Sequence, residues 1–275
     1  MNTNNKDRIF LLLTLVIIAL FILCLVLGAT LGILKLTSRG TADGGESDDT
    51  SDSDTAVSVD PQAVMLDATA DAGMAYIDRM IFFGESTTAH LRARGVLSDG
   101  KDTKQVWADA SGTKRLSSKL TSETVVYPPT GESLTISQAC ALEKPDYIVL
   151  SFGLNGLSDF IANKSAYVNN YGKLIQAIQS ASPDTKVILQ TVYPVCQAGN
   201  FAEDVETLNQ YIMKLNEWLP EIAAAYENVR VADTASVLRS DANALISAYD
   251  NGDGQHLTAD AYLEILSYLR THAWQ

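Results

Sequence analysis

Short apolar segments alternate with amphipathic segments from residue 80 to the C-terminus, and this alternation restricts the fold more than any other feature of the sequence. Apolar segments of strand length are MIFFG (80–84), KQVWA (104–108), TVVYP (124–128), DYIVLSFG (146–153), TKVILQTVYP (185–194) and NVRVAD (228–233). Segments with an apolar residue at every third or fourth position, as in a helix, are 165–181, 205–227 and 257–274. Near-continuous apolar strands separated by helices indicate a parallel sheet covered on both faces. The sequence therefore predicts an α/β fold, a three-layer α/β/α sandwich with a mainly parallel sheet.

A long apolar segment precedes this alternating part. From Ile9 to Leu34 the chain has 26 residues without a charge, most of them Leu, Ile, Val or Phe. About 20 apolar residues suffice for a helix to cross a bilayer, whereas the apolar region of a secretory signal peptide has about 7–15. No clear small-residue cleavage site follows the segment. We therefore expect residues 1–8 to be a short cytoplasmic tail and residues 9–36 to be an uncleaved transmembrane anchor.

The segment after the predicted anchor differs sharply in composition. Residues 37–60 are rich in Ser, Thr, Asp and Gly and contain almost no large apolar residue, so we expect a flexible acidic linker. Residues 61–275 are predicted to form one domain. Lys and Arg flank the apolar segment in similar numbers, and the simplest topology places this domain outside the cell membrane in a single-pass protein. The net charge of −13 argues against nucleic acid as a partner, because phosphate binding needs clustered Lys and Arg.

Polar residues that suit hydrolytic chemistry follow the predicted strands. Ser86 comes after the first strand, Asn155 follows the strand at 146–153, and Asp253 and His256 precede the last helix. In open parallel sheets, ligands bind at the carboxyl ends of the strands. A nucleophilic serine needs a base, a group that orients the base and donors for the oxyanion, and these residue types supply all three.

Each of these residues also has a purely structural interpretation. Ser86 fits as a helix cap, and Asn155, between glycines, fits as a turn residue. His90 is a rival base, because it lies four residues after Ser86 and hence on the same helix face. The residues alone leave these alternatives open.

Three segments resemble sequence blocks of the SGNH, or GDSL, hydrolases. They are GESTT (84–88), GLNG (153–156) and DGQHLT (253–258), in the order of the family's blocks. The resemblance spans about residues 78–274 and implies a flavodoxin-like three-layer sandwich. It also implies that Ser86 is the nucleophile, that His256 is the base and that Asp253 orients His256.

The same resemblance implies an oxyanion hole. Its donors would be the backbone N–H groups of Ser86 and Gly112 and the side chain of Asn155. Gly112 follows the second predicted strand in VWADASGTKRL, and Gly95 is the alternative for this glycine.

Two positions depart from the family's usual pattern. Glu85 stands where the first block usually has Asp, so the side chain beside the nucleophile is one methylene longer. Gly156 stands where the third block usually has Asp, so a structural acid is missing there. The expected effect is an altered nucleophile loop with the triad residues intact.

The resemblance implies ester hydrolysis or acyl transfer with neither a metal nor an organic cofactor. With the expected position outside the membrane, it favours removal of acetyl or other O-acyl groups from cell-surface carbohydrate or peptidoglycan. The alternatives are an O-acyltransferase acting on cell-wall polysaccharide and a non-catalytic surface carbohydrate-binding protein with the same fold.

Two further features of the sequence bear on metals and on redox state. The segment DNGDG (250–254) resembles a calcium loop, but Tyr249 stands where the first ligand would be needed. Cys140 and Cys196 lie outside the apolar N-terminal segment. They either form a disulfide in an oxidising compartment or serve as small buried residues.

Overall fold

A parallel sheet forms the centre of the fold. The structure, a computed structural model, describes residues 60–109, 111–112 and 114–274. Its strands are β1 (Met80–Gly84), β2 (Val106–Trp107), β3 (Thr124–Tyr127), β4 (Glu132–Thr135), β5 (Tyr147–Ser151), β6 (Lys186–Gln190) and β7 (Val229–Ala232). One parallel sheet has the order β2-β1-β5-β6-β7, and β3 pairs with β4 in a separate antiparallel hairpin. The predicted α/β fold with a mainly parallel sheet is confirmed.

Alternate residues along the central strands enter two different apolar cores. In β1, Ile81 and Phe83 contact one core, whereas Met80 and Phe82 contact the other. The residues of β5 alternate in the same way, and every residue of both strands is buried. Helices therefore cover both faces of the sheet, which explains why these strands are apolar without interruption.

The helices have the spacing that the sequence indicates. They are α1 (Met74–Ile77), α2 (Ser86–Arg94), α3 (Ile136–Glu143), α4 (Leu157–Ala162), α5 (Lys164–Ala181), α6 (Val205–Ala224) and α7 (Ala259–Thr271). Short 3-10 turns lie at Pro61–Val64, Gly100–Asp102, Leu120–Ser122, Ser236–Leu238 and Ser247–Tyr249. The three predicted helices correspond to α5, α6 and α7. Thr258 caps α7, because its Oγ1 accepts a hydrogen bond from the backbone N–H of Ala261.

The β3-β4 hairpin differs from the sequence prediction. The segment 124–128 does form a strand, but it pairs with β4 outside the parallel sheet. The sequence of β4, ESLT, has one large apolar residue, so it gives no strand signal. The turn closes at Gly131, which has a φ of 76° and donates its N–H to the carbonyl of Tyr127 at 2.8 Å.

The two cysteines of the described part are free thiols, and both are buried. Cys140 lies in the core on one face of the sheet and Cys196 in the core on the other face. The disulfide alternative is therefore wrong, because the sheet separates the two sulfur atoms. Burial raises the pKa of Cys140 to about 12, so its thiol stays protonated.

The predictions for the N-terminal region fall on residues that the structure does not describe. The tail at 1–8, the anchor at 9–36 and the linker at 37–60, apart from Asp60, lie outside the described residues. Within the described ranges, no helix combines the length and the apolar character needed to cross a bilayer. The domain boundary at residue 61 also stays a prediction.

Candidate active site

Ser86 is the first residue of α2 and follows β1 through a sharp turn at Glu85. A side chain on Gly84 would overlap Thr88 Oγ1 and the carbonyl of Ser151, so glycine is required where α2 passes over β5. The N-cap residue of α2 is Glu85 rather than Ser86. The interpretation of Ser86 as a cap is therefore wrong, and its hydroxyl is free to bind another partner.

That partner is His256. The Oγ of Ser86 lies 2.9 Å from Nε2 of His256, and Nδ1 of the same ring lies 2.7 Å from Oδ2 of Asp253. The structure thus brings together the three residues for which the sequence predicted a nucleophile, a base and an orienting acid. A proton on Nδ1 satisfies the carboxylate and leaves Nε2 able to accept the proton of Ser86.

Asp253 is held in its ionised form by local hydrogen bonds. Partial burial alone would raise its pKa, but the backbone N–H groups of His256 and Gln255 and the His256 ring outweigh burial and lower the pKa to about 2. Oδ1 accepts from these N–H groups at 2.8 and 3.1 Å, so Oδ2 is left for the ring. The carboxylate is therefore negative near neutral pH.

The loop that carries Asp253 and His256 is fixed against the segment after β6. The carbonyl of Gly254 accepts from the N–H of Cys196 at 2.9 Å, and its own N–H donates to Oδ1 of Asp250 at 2.7 Å. Gly254 has a φ of 82°, and a side chain there would overlap the backbone of Gly199. Glycine is therefore needed at this position for both conformation and close approach.

His90, the rival base, lies beside His256 rather than on the serine. The centroids of the two rings are 4.4 Å apart with the planes inclined by 35°. Its Nδ1 is buried without a hydrogen-bond partner in the described part of the chain. Burial lowers the pKa of His90, and the charges of His256 and Arg94 lower it further, so the ring is neutral near pH 7. The hydroxyl of Ser86 is hydrogen-bonded to Nε2 of His256 instead.

Two of the predicted oxyanion donors lie where the nucleophile loop meets the loop after β5. The backbone N–H of Ser86 is in the first turn of α2, where the helix provides no acceptor. Asn155 donates its backbone N–H to Oε2 of Glu85 at 3.0 Å. Its side-chain Nδ2 is 3.4 Å from the carbonyl of Lys114, which is long for a hydrogen bond. Little would be lost if Nδ2 turned to an oxyanion instead.

Gly112 lines the same cleft as Ser86, but its N–H is already used. It donates to Oδ1 of Asp109 at 2.7 Å, so it can serve an oxyanion only if Asp109 moves away. Gly95, the alternative glycine, ends α2 with a φ of 66° and donates its N–H to the carbonyl of Arg92. It lies about 13 Å along the helix from Ser86, since nine residues rise by 1.5 Å each. The Gly95 alternative is therefore wrong.

The family assignment rests on sequence comparison. A protein-family profile described as GDSL-like Lipase/Acylhydrolase family matches residues 82–263, which include the end of β1, the loop after β5 and the start of α7. The chain belongs to this family. It is accordingly a GDSL hydrolase, and the resemblance inferred from the three sequence blocks is confirmed. A search of curated proteins finds no match to the chain.

Solved structures of low sequence identity are similar to this GDSL hydrolase. A candidate platelet activating factor from Streptococcus pneumonia is 20% identical, with a TM-score of 0.50 over 70% of this chain and 82% of that chain. A candidate SGNH hydrolase from Slackia heliotrinireducens is 19% identical, with a TM-score of 0.49 over 70% and 98%. A carbohydrate esterase family 3 protein from Talaromyces cellulolyticus is 15% identical, with a TM-score of 0.45 over 70% and 93%. At these identities the likeness concerns the fold alone.

Glu85, the first departure from the usual pattern of GDSL hydrolases, ties two loops of the site together. Its side chain is only 3% exposed, and its oxygens accept the backbone N–H groups of Gly153 at 2.9 Å and Asn155 at 3.0 Å. Burial raises its pKa to about 7, although these N–H groups, that of Leu154 and the charge of Arg115 each lower it. The extra methylene thus lets the residue before the nucleophile reach the Asn155 loop. Sequence analysis missed this contact.

We expect Glu85→Gln to destabilise the fold with a characteristic pH dependence. The amide nitrogen would face a backbone donor, which costs about 1–3 kcal/mol at every pH. The ordinary pKa of this carboxyl is 4.5, and burial raises it to about 7 in the folded chain. Between these two pH values the wild-type carboxyl is protonated in the folded chain and ionised in the unfolded chain. Wild-type stability therefore falls by up to about 3 kcal/mol as pH rises through this window, then levels off.

Urea unfolding from pH 4.5 to 8 would measure this effect. The stability gap between wild type and Glu85→Gln should be widest near pH 4.5 and should narrow toward pH 7. Glu264→Gln, at an exposed position of α7, is the matched control and should track the wild type. A gap that stays constant or widens with pH would show that the pKa of Glu85 is not raised.

Gly156, the second departure, makes room for an arginine. It has a φ of 95°, and a side chain there would overlap the guanidinium of Arg115. That guanidinium is 2.5 Å from Oδ2 of Asp159 and lies 5.9 Å from the ring centroid of Phe160. An Asp at position 156 would therefore overlap Arg115 in its observed position. Arg115 pairs instead with Asp159, three residues further along the chain.

The cleft beside Ser86 has a volume of about 570 Å³, which is in the range of small-molecule sites. Its wall includes Ser86, His90, Arg92, Lys101, Gly112 and His256. Within the described ranges, no group of three or more His, Cys, Asp or Glu side chains is arranged to hold a metal ion. The chemistry that this site supports is the transfer of an acyl group to Ser86.

Proposed function

We propose that this GDSL hydrolase is a serine esterase that removes O-acyl groups, in particular acetyl groups, from cell-surface or extracellular carbohydrate through an acyl-enzyme on Ser86. The observation that carries the proposal is the continuous series of hydrogen bonds from Ser86 Oγ through His256 to Asp253. Such a series activates a serine only when a base accepts its proton and an acid orients the base. Both conditions are met here by contacts of 2.9 and 2.7 Å.

Acylation begins as Ser86 Oγ attacks the ester carbonyl and passes its proton to Nε2 of His256. The negative charge of Asp253 stabilises the imidazolium that forms. The oxyanion accepts hydrogen bonds from the N–H of Ser86, at the positive end of α2, and from Nδ2 of Asn155. The N–H of Gly112 adds a third donor once Asp109 has released it. His256 then protonates the leaving alcohol oxygen, and the acyl group stays on Ser86.

Deacylation repeats the same steps with water as the nucleophile. His256 takes a proton from water, the hydroxyl adds to the acyl carbonyl, and Ser86 leaves with the proton from His256. The site is open to solvent, since the side chain of Asp253 is 47% exposed and Ser86 is partly exposed. Water can therefore reach the acyl-enzyme, which favours hydrolysis over transfer to a second sugar.

The carbohydrate part of the proposal rests on the expected location. An anchor at 9–36 and a linker at 37–60 would hold the catalytic domain near the outer surface of the membrane. Acylated polysaccharide or peptidoglycan is the ester-bearing material within reach of such a tether. An O-acyltransferase would use the same triad and would differ in releasing the acyl group to a sugar hydroxyl.

Two assays test the proposal on the purified protein. The wild type should react with a fluorophosphonate probe, which labels activated serines, and should release acetate from at least one of a panel of O-acetylated xylan, O-acetylated pectin and O-acetylated peptidoglycan. 4-Nitrophenyl acetate serves as a general ester substrate. Loss of acetyl groups from the donor only when a second glycan is present, with the acetyl groups recovered as esters on that glycan rather than as free acetate, would identify a transferase.

A negative result in both assays would also be informative. A folded wild-type protein that neither reacts with the probe nor cleaves any ester would contradict the esterase proposal and favour a non-catalytic carbohydrate-binding protein. Folding would be checked independently by the melting temperature and by circular dichroism.

A further inference from the structure

Two basic side chains lie on the wall of the cleft next to the nucleophile. Arg92 belongs to α2, and Lys101 belongs to the 3-10 turn Gly100–Asp102. Neither side chain has an ion-pair partner among the residues that the structure describes. Arg79, Lys114, Arg115, Lys164, Lys214 and Arg270, in contrast, each pair with a carboxylate. Other described cations, such as Lys104 and Lys119, also have no ion pair, so what distinguishes Arg92 and Lys101 is their shared place on the wall of the cleft beside the nucleophile.

The acidic groups of the same region do not neutralise them. Asp109 lines the cleft, but its Oδ1 accepts from Ser111 and Gly112 and its Oδ2 lies 3.5 Å from Nζ of Lys114. Asp253 is engaged by His256 and by backbone N–H groups. Both carboxylates are therefore engaged by groups other than Arg92 and Lys101, and neither forms an ion pair with these two cations in the described part of the chain.

The fold fixes where these cations stand relative to Ser86. Arg92 is six residues further along α2, about 9 Å along the helix axis, and Ala89 and Ala93 of the same helix also line the cleft. The stem of Lys101 packs against the end of the helix, with Cγ 3.6 Å from where a Cβ on Gly95 would be. The cations are thus too far from Ser86 to touch the reacting carbonyl but close enough to touch another part of the same substrate.

Helix stabilisation accounts for only part of this arrangement. Arg92 and Arg94 lie in the last turn of α2, where a positive charge interacts favourably with the helix dipole. Arg94 satisfies its Nε on the carbonyl of Leu257 and does not line the cleft. The dipole gives no reason for Lys101 to face the cleft from a separate segment, nor for Arg92 to stay unpaired there.

We infer that the substrate carries an anionic group, a carboxylate or a phosphate, which Arg92 and Lys101 bind while the ester lies against Ser86. This inference rests on the proposed esterase function and adds the charge of the substrate to it. A planar guanidinium can bind either anion through two hydrogen bonds, and a nearby ammonium adds a point charge. Uronic acids and phosphorylated sugars are the carbohydrate classes that present such groups next to acylated hydroxyls.

A matched series of esters tests the inference. The substrates are methyl 3-O-acetyl glucoside, the corresponding glucuronide and the corresponding glucoside 6-phosphate, which differ only in the group at one carbon. We expect kcat/KM for at least one charged ester to exceed that for the neutral ester by roughly tenfold at low salt, with the ratio shrinking as ionic strength rises. The carboxylate and phosphate arms show which anion is preferred.

Substitutions locate the effect. Arg92→Gln and Lys101→Gln should each lower the ratio of charged to neutral kcat/KM by roughly threefold to tenfold, and the double variant should lower it further. Lys104→Gln, which removes the same charge from an exposed residue outside the cleft, should leave the ratio unchanged. Lys101 is exposed, so its variant keeps the test valid if Arg92→Gln proves less stable.

Failure of this inference is distinguishable from failure of the esterase proposal. Equal kcat/KM values for the three esters, or an unchanged ratio in both cleft variants, would overturn the anionic-group inference while leaving the esterase intact. If no ester is cleaved, binding of the deacetylated glucuronide and glucoside to the wild type can be compared by NMR chemical-shift changes. Equal affinity for the two sugars would then reject the inference, and tighter binding of the glucuronide that is lost in Lys101→Gln would support it.

Discussion

Replacing Ser86 with alanine is expected to lower kcat for acetyl ester hydrolysis by roughly 10⁴- to 10⁶-fold and to abolish fluorophosphonate labelling. The hydroxyl that His256 contacts at 2.9 Å is the atom that would form the acyl-enzyme, and alanine has nothing to replace it. Stability should change little, because Glu85 rather than Ser86 is the N-cap residue of α2. Measurements of kcat, labelling and melting temperature on the same preparation would separate loss of chemistry from loss of folding.

Ser118→Ala is a suitable control for this prediction, because Ser118 is an exposed serine outside the cleft. It should retain wild-type activity and labelling. Residual activity of Ser86→Ala within tenfold of the wild type, on a protein free of contaminating esterase, would mean that another group attacks the ester. The double variant Ser86→Ala/His256→Ala should be no worse than either single variant, because the residues act as a unit.

The contacts among Ser86, His256 and Asp253 could be predicted from the sequence, although the resemblance to the SGNH blocks, rather than the residues alone, selected these three. Ser86 and Asn155 follow buried strands, and the carboxyl ends of neighbouring parallel strands meet at one edge of the sheet. Asp253 and His256 are three residues apart before a well-marked helix start, so their contact is local. Local spacing and strand ends are patterns that a sequence displays directly.

Other features depend on contacts between distant segments, and the sequence does not display them. Whether Glu85 reaches the backbone at 153–155 depends on β1 and β5 being neighbours, as they are in the observed strand order. The engagement of the Gly112 N–H by Asp109 depends on the conformation of one loop. β4 was missed because its strand pairing comes from a tight hairpin turn, while its composition is polar.

The second large effect on kcat is expected for substitution of His256, and the same substitution of His90 serves as the comparison. His256→Ala should lower kcat by roughly 10⁴- to 10⁶-fold, since no other group would accept the proton of Ser86. His90→Ala should cost roughly tenfold or less, because His90 contacts the His256 ring face and has no hydrogen bond to the serine. The loss of kcat in Asp253→Ala should lie between these two, at roughly 10³- to 10⁴-fold, because the base would remain but lose its orientation.

The order of these three effects is the decisive measurement, because it depends on geometry rather than on the absolute activity of any one substrate. kcat would be determined for each variant with 4-nitrophenyl acetate, and each fold would be checked by its melting temperature. A larger loss for His90→Ala than for His256→Ala would reverse the assignment and make His90 the base. Such a result would require the two adjacent rings to exchange roles, and the buried Nδ1 of His90 would then need an acid partner. Asp253 is an acid whose charge acts on His90, but its carboxylate is already held by the His256 ring and by backbone N–H groups, which is why we expect the order His256, Asp253, His90.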